Sequence, residues 1–504
     1  MKADIVIVGS GISGLTAAAI LAKNGRQVVV VEKEPRIGGA LKRFKRSKIP
    51  FDVGFHYTGC LGEGEILQLL WQYCDILPAL TIIPFVEQGY DALQVQGMDQ
   101  TIHSYYSYAR LTSELKGHFP AQAKVIDSHF RKVQEICADI PFYNTALPLT
   151  PFLQGYKSRP QSLAHYLTKI TSDPYLQAVL AAPTFLYGVP VHEASLEVHA
   201  MIAHGYHLGA YSVDGGGQAV ANAFTAALKK QGVQFLTKET VESIDVADGK
   251  VSGIRTASEK HIECGHVIYT GHPAAVIDMV PSAVFRPAYR TRLRELKNSL
   301  SMFAVFGKTP APAGKAAPPS GAVNYFHMPA GLDVLPRSAA TPRQERSLMM
   351  TRSRASSADE SLPPEANPIT LLQPAYWQDV ESYQDSSKGS RPPSYTAFKE
   401  KICGEMIKAA QENWGEACGP ITPLAVGTPL TFRDELTSPE GGAYGAMHCL
   451  DQFNPAARTR LPGLLLSGQS TLMTGILGAA LAGMVSAGEI VGLEPLWEEV
   501  RKCR

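Results

Sequence analysis

Apolar and polar positions change period several times along this chain. It begins with an unbroken apolar run, Ile5-Val6-Ile7-Val8, then a glycine turn, Gly9-Ser10-Gly11-Ile12-Ser13-Gly14, then an Ala/Leu-rich stretch of helical length. A second apolar run, Val28 to Val31, ends on Glu32. Runs that are apolar at every position read as strands buried on both faces, as in a parallel sheet. The stretch between them reads as the crossover helix, closed by Lys23-Asn24-Gly25. From residue 63 to 80 the period becomes helical, with Ile66, Leu69, Leu70, Tyr73 and Leu77 on one stripe. Helices are predicted over residues 110–138 and 162–181, within a mixed region from about 81 to 205 rich in Tyr, Phe and Leu. Asp214-Gly215-Gly216-Gly217-Gln218 then leads into a predicted helix over 219–230 and a strand over 233–236. Val241-Glu242-Ser243-Ile244 alternates, Asp248-Gly249 signals a hairpin, 251–256 returns, and 266–270 is another buried-type strand.

The later part of the chain is less regular. Residues 308–320 and 337–368 are polar and rich in Pro, Ala and Ser. A sheet with long loops is predicted over 276–424, with mobile outer parts around 308–320 and 384–394. Residues 463–486 carry no charge and are long enough to span a bilayer. Against that reading, residues 464–466 form a separate strand, Gly468-Gln469-Ser470 breaks the run, and glycines at 475, 478 and 483 suit a buried helix.

Composition narrows the function. A chain of 504 residues predicts two or three domains, and a net charge of +1 gives no field to recruit nucleic acid. The eight cysteines are scattered without a C-x-x-C pair, so neither zinc nor a disulfide framework is expected, and a reducing compartment fits best. The first strand begins almost at once, so no signal peptide is expected and the localisation expected is cytoplasmic. His199, His204, Tyr206, His207 and Tyr211 invite a metal reading, but the spacing lacks an i, i+4 pair and no metal is predicted. The basic run Lys42, Arg43, Lys45, Arg46 and Lys48 reads as a solvated hairpin; neutralising a pyrophosphate or touching an anionic membrane surface is its functional alternative.

Chemistry is concentrated in the opening stretch. Gly9, Gly11 and Gly14 follow a buried-type strand and open a helix, and Glu32 lies eighteen residues after Gly14. In a dinucleotide fold the first glycine makes the tight turn and the second lets backbone approach a pyrophosphate. The third lets helix and sheet pack closely, and the acid accepts from a ribose hydroxyl. The helix N-terminus offers unpaired N–H groups and a positive dipole end. A second glycine pair follows in Pro35-Arg36-Ile37-Gly38-Gly39, and then Phe51-Asp52-Val53-Gly54-Phe55-His56-Tyr57-Thr58-Gly59.

These motifs together resemble the phytoene desaturase-type flavoproteins, with the retinol saturase and carotenoid isomerase branch the nearest in pattern. The C-terminal part resembles the same family through Thr428-Pro429-Leu430-Thr431-Phe432-Arg433, Gly441-Gly442-Ala443-Tyr444-Gly445 and residues 462–470. The resemblance implies an α/β protein of the two-dinucleotide-binding-domain flavoprotein class. It would have a Rossmann-type FAD-binding domain from residues 1–60, 208–275 and 425–504, and an inserted α+β substrate domain from 61–207 and 276–424. It implies FAD held by Gly9, Gly11, Ile12, Ser13, Gly14, Glu32, Lys33, Gly38, Gly39, Ala40 and Gly54, with Gly54, His56 and Tyr57 near the flavin ring. Val241 would clasp the adenine, and Gly271, Gly468, Gln469, Gly475 and Ile476 would complete the cradle. Many FAD relatives carry Gly-Asp where Gly468-Gln469 stands here. Residues 356–364 resemble a family loop over the substrate site.

The implied activity is an FAD-dependent oxidoreductase that desaturates, saturates or isomerises carbon–carbon bonds of a lipophilic polyene, such as a carotenoid or retinoid. His56, Tyr57, Arg433 and Tyr444 are the candidates for polar assistance. The partners expected are a lipophilic small molecule and a membrane surface touched peripherally, with no nucleic acid and the oligomeric state left open. Amine oxidation on the same scaffold, and flavin binding without turnover, are the alternatives.

Overall fold

The computed structural model describes residues 1–85, 89–155, 160–310, 323–352 and 366–503. The two opening apolar runs pair as expected: Ile5–Val8 lies parallel to Val28–Glu32 on one side and to His266–Tyr269 on the other. Gln234–Thr237 extends the sheet past Val28–Glu32, and Leu464–Leu466 extends it past His266–Tyr269. The result is a five-stranded parallel sheet assembled from the start, middle and end of the chain. Helices Ile12–Lys23, Gly216–Lys230 and Gly475–Val491 are the helices of this unit, the first packing against both of the others. Close approach is bought with small residues: a Cβ on Gly483 would stand 2.3 Å from the Ser13 carbonyl oxygen. The hairpin Val241–Ala247/Lys250–Thr256 turns on Asp248 and Gly249, both at positive φ as a two-residue hairpin turn requires.

A seven-stranded sheet forms the second layer, ordered Thr422–Gly427, Ser301–Pro310, Ala366–Ala375, Leu348–Arg352, Asn324–Met328, Asp91–Val95 and Ile102–Ser104. All neighbours are antiparallel except Asn324–Met328 with Asp91–Val95. Helix Pro393–Cys418 closes one face over Phe303, Val305, Met350 and Leu371, contributing Ile402 and Trp414. Thr422–Gly427 belongs to this sheet and straddles residue 425, and Leu430 is buried in the same core.

Several expected elements change extent. The helix expected over 110–138 is two helices, Tyr108–His118 and Ala123–Ala138, parted at Phe119-Pro120. The helix expected over 162–181 is likewise Leu163–Ile170 and Pro174–Ala181, where Asp173 caps the second by accepting from the Tyr175 and Leu176 amides at 2.9 and 3.2 Å. Proline interrupts both runs because it lacks an N–H and its ring crowds the preceding turn. The helix from 63 to 80 contracts to Ile66–Tyr73, and that over 219–230 begins at Gly216. Residues 384–394 are tied down: Arg433 donates to the Gln384 carbonyl at 2.6 Å and Arg391 pairs with Asp434. The strand Ser301–Pro310 carries the start of 308–320 in regular pairing; the remainder, and residues 356–364, lie outside the described residues. The basic run does form a hairpin, Arg43–Arg46 with Ile49–Asp52, but Arg43 is not solvated. The uncharged stretch 463–486 is a strand, a turn and the start of a 17-residue helix. Among the described residues no helix is long and apolar enough to cross a membrane.

Candidate active site

The glycine turn is braced by a group the sequence motif does not mention. Ser10 donates from its backbone N–H and its hydroxyl to Glu32 Oε2, at 2.9 and 2.5 Å, and its Oγ accepts from the Gly38 N–H at 3.2 Å. Glu32 Oε1 accepts from the Glu34 amide at 2.9 Å. A carboxylate has about four lone-pair sites, so this buried acid keeps one on Oε1 while locking the two glycine pairs together. Gly39 completes the approach, since a Cβ there would meet the Gly11 Cα at 3.0 Å. Lys33 lies by Glu34 at 3.7 Å, and Gly54 abuts Ala40, whose Cβ is 3.3 Å from where a Gly54 Cβ would be.

The end of strand His266–Tyr269 links the first turn to the last. The Thr270 hydroxyl donates to the Val8 carbonyl at 2.8 Å and fills the space a Cβ on Gly9 would need. The Thr270 carbonyl oxygen stands 2.9 Å from the Cβ position of Gly468. Both glycines are at positive φ, so each is required by backbone conformation as well as by space. Ser13 and Ser467 then join the two turns directly through their hydroxyls at 2.6 Å.

Two glycines at helix starts face nothing. Around Gly11, which precedes Ile12–Lys23, and Gly475, which opens Gly475–Val491 beside Ile476, no atom of a described residue beyond the adjoining chain stands within 4 Å of the Cβ position. The Thr474 hydroxyl at the second start is buried without a partner among the described residues. Open cradles at two N-termini and an orphaned hydroxyl suit an anionic dinucleotide, which takes N–H donors and positive dipole ends. Val241 is buried at the start of its hairpin, and Gly271 sits beside Tyr269, whose hydroxyl blocks a Cβ there.

His56 and Tyr57 are adjacent in sequence and diverge in space. His56 enters a small pocket with the Arg43–Asp52 ion pair, Phe55, Gly216 and Arg352. Arg43 grips Asp52 through Nε and Nη2 at 2.7 and 2.9 Å. Burial pulls the His56 imidazole below its ordinary titration; Asp52 opposes and Arg43 reinforces this. Tyr57 instead stacks on Phe85 at 5.5 Å, meets Tyr206 edge-on at 5.0 Å, and donates to Asp91 Oδ2 at 3.3 Å.

Tyr57 and Asp91 line a narrow cavity of about 60 Å³, walled by Leu93, Leu111, Leu115, Phe130, Leu186 and Phe326. Neither Arg433 nor Tyr444 reaches it. Arg433 is held by Asp434, the Gln384 carbonyl and the Trp377 ring, so it braces helix Pro429–Leu436. Tyr444 lies nearer, but its hydroxyl donates to the Phe185 carbonyl at 3.1 Å. Gln469 gives its carbonyl to His448 at 2.7 Å.

In the histidine cluster His199 is buried and His204 and His207 are half-buried, and burial lowers the titration of all three rings. His199 meets the Leu180 carbonyl and the Tyr187 hydroxyl, each at 3.0 Å, and His204 meets the Tyr108 hydroxyl at 2.5 Å. Among the described residues no group of three His, Cys, Asp or Glu side chains could hold a metal. Sequence reasoning missed Ser10, Ser467, Thr474 and Asp91. Only Asp91 left a signal, an acid opening the otherwise uncharged strand Asp91–Val95.

Comparison with known proteins agrees with this architecture. Residues 7–74 match the NAD(P)-binding Rossmann-like domain family. All-trans-retinol 13,14-reductase of Homo sapiens is 26% identical over 97% of this chain and 86% of its own length. Hydroxyneurosporene desaturase of Rubrivivax gelatinosus is 25% identical over 96% of this chain and 92% of its own. Prolycopene isomerase of Daucus carota is 24% identical, covering 97% and 81%. The chain is similar to phytoene desaturase-type proteins. Its fold is also shared by putrescine oxidase, solved with putrescine bound, at a TM-score of 0.65 and 15% identity over 97% of this chain and 99% of that one. The likeness to these relatives runs through both sheets and the helical excursion between them, not the nucleotide fold alone.

Proposed function

We propose that this chain is an FAD-dependent oxidoreductase acting on carbon–carbon bonds of a lipophilic polyene such as a carotenoid or retinoid, by desaturation, saturation or isomerisation. The observation that carries it is the cavity: most of its surface is apolar, with Leu93, Leu111, Leu115, Phe130, Leu186 and Phe326 among its walls, and among its polar residues, Tyr57, Tyr90, Asp91, Ser104, His129, His199, Tyr206 and His207, Tyr57 is hydrogen-bonded to Asp91. A hydrocarbon offers few hydrogen-bonding handles, so such a site selects by length and shape. Retinol, neurosporene and prolycopene stand in the names of the full-length relatives, which supports a polyene.

FAD would supply hydride chemistry at its ring. In this reading Gly11, Gly14 and Ser13 would hold its pyrophosphate, the free lone pair of Glu32 a ribose hydroxyl, and Gly38, Gly39, Gly54 and His56 the path to the ring. Val241, Gly271, Gly468, Gln469, Gly475 and Ile476 would close the other side. The FAD domain would comprise 1–60, 208–275 and 425–504, and the substrate domain 61–207 and 276–424. A cytoplasmic protein in peripheral contact with membrane would meet such substrates where they dissolve.

The shared fold of putrescine oxidase supports amine oxidation as the second reading. The test is anaerobic: the purified yellow protein, reduced and oxidised in turn, is mixed with polyenes and with amines while the flavin spectrum is followed. A change with polyenes is expected. A change with amines alone overturns the reading in favour of the second, and silence with both favours a flavin-binding protein without turnover.

A further inference from the structure

Asp91 opens its strand directly across from Asn324. Its Oδ1 accepts from Asn324 Nδ2 at 2.7 Å and its Oδ2 from the Tyr57 hydroxyl at 3.3 Å. Asp91 is 8% exposed and Asn324 fully buried. The other groups facing the carboxyl are Tyr90, its chain neighbour, and Tyr206 from helix Leu196–Leu208, and both are neutral phenols. No cation among the described residues shifts it. Among the described residues Asn324 Oδ1 has no partner. A buried carboxyl without a cation costs several kcal/mol if ionised, so this arrangement is a poor device for packing alone. It sits on the wall of the cavity.

We propose that Asp91 is the proton-holding group of this site and that the Tyr57 hydroxyl is its outlet to the substrate. The inference rests on the reading of the cavity as a polyene site. In saturation, one carbon of a double bond takes a hydride, with its electron pair, from a reduced flavin. With Asp91 protonated the Tyr57–Asp91 bond runs the other way, Oδ2–H donating to the Tyr57 oxygen; the other carbon then takes the Tyr57 hydroxyl proton while Tyr57 takes the Asp91 proton. One C=C π bond is lost, two C–H bonds form, and Asp91 remains as a carboxylate accepting from Tyr57 and Asn324 until solvent reprotonates it. Desaturation is the reverse, with the carboxylate receiving the proton. Burial moves the carboxyl up to about 7, which places both of its forms within reach near neutrality. Burial raises the Tyr57 phenol well above its ordinary value, so Tyr57 passes a proton in concert and does not hold the charge.

The test begins without substrate. Infrared titration of the flavin-loaded protein is expected to show a buried carboxylic acid C=O band lost with a midpoint near pH 7 and absent in Asp91→Asn. Tyr57→Phe keeps the band and moves its midpoint up, because a hydrogen bond to the ionised form is removed. With an accepted polyene, either variant slows the saturating step by about 100-fold or more. In Asp91→Asn the loss of rate above pH 7 disappears as well. A band that survives in Asp91→Asn, or a rate and pH profile unchanged in both variants, overturns the proposal. If the wild-type protein turns over no polyene, the proposed function fails, while the titration still decides whether Asp91 holds the proton.

Discussion

The hydroxyls of Ser13 and Ser467, 454 positions apart in the chain, meet at 2.6 Å in the buried seam between the first helix and the last turn. The contact fixes two N-terminal cradles on one side of the parallel sheet. Ser467→Ala strands the Ser13 hydroxyl away from water, and the expected loss is about 1–3 kcal/mol of stability. The double variant Ser13→Ala/Ser467→Ala recovers part of that loss, since no buried donor is left alone. Denaturant unfolding of the two singles and the double measures the coupling.

Gly11 and Gly14 separate binding from folding. A side chain on Gly11 enters open space with ordinary backbone angles, whereas a Cβ on Gly14 would stand 2.2 Å from the Gly9 carbonyl oxygen. Gly11→Leu is expected to fold with near wild-type stability and to lose flavin. Gly14→Ala is expected to unfold at distinctly lower temperature. Calorimetry together with flavin content after purification distinguishes the two outcomes, and a yellow Gly11→Leu protein contradicts the cradle.

Acid should unfold this protein through its histidines. Burial holds His129 and His207 near 3 and His199 and His204 near 4, against an unfolded value of 6.5. Each folded pKa is depressed, so the stability from the neutral rings is present above about pH 6.5 and is lost progressively as pH falls toward 3. His207 Nδ1 has no partner among the described residues to lose. His207→Leu is therefore expected to make the acid limb of stability shallower without weakening the protein at pH 8, as measured by unfolding across pH.

The Arg43–Asp52 pair invites a paired measurement. The side chains are 12% and 6% exposed, so Arg43→Met leaves a buried carboxylate without its partner, at an expected cost of about 3–5 kcal/mol. The same change removes a cation that lowers His56, so the His56 imidazole should titrate at higher pH. Histidine proton resonances read the shift; an unmoved His56 contradicts the pocket geometry.

Asp91 carries the opposite sign to the histidines. Its folded pKa, about 7 against an ordinary 3.8, means stability present below about pH 4 and lost as pH rises through 7. The displacement corresponds to on the order of 4 kcal/mol. Asp91→Asn is expected to gain stability over the wild type above pH 7 and to converge with it in acid, where the wild-type carboxyl is also neutral.

The sequence by itself determined the nucleotide unit. Unbroken apolar runs are legible because a parallel strand buries both faces, and the spacing of Gly9, Gly11, Gly14 and Glu32 is legible because each answers a local backbone or packing requirement. The hairpin at Asp248-Gly249 was legible for the same reason, since two positive φ values demand those residues locally. Only the tertiary structure decided what the side chains of the excursions do. His56 and Tyr57 are neighbours in sequence and part company where the chain bends at His56, beyond the strand Ile49–Asp52. Arg433 is drawn away by Asp434 and residues near 384, and the His199 cluster is spent on tyrosines and a carbonyl. Asp91 becomes chemically distinctive only when Tyr57 and Asn324, 34 positions before and 233 after it, close over its carboxyl in an apolar wall. Such long-range contacts leave no period or spacing along the chain, because burial and electrostatics depend on what is near in space.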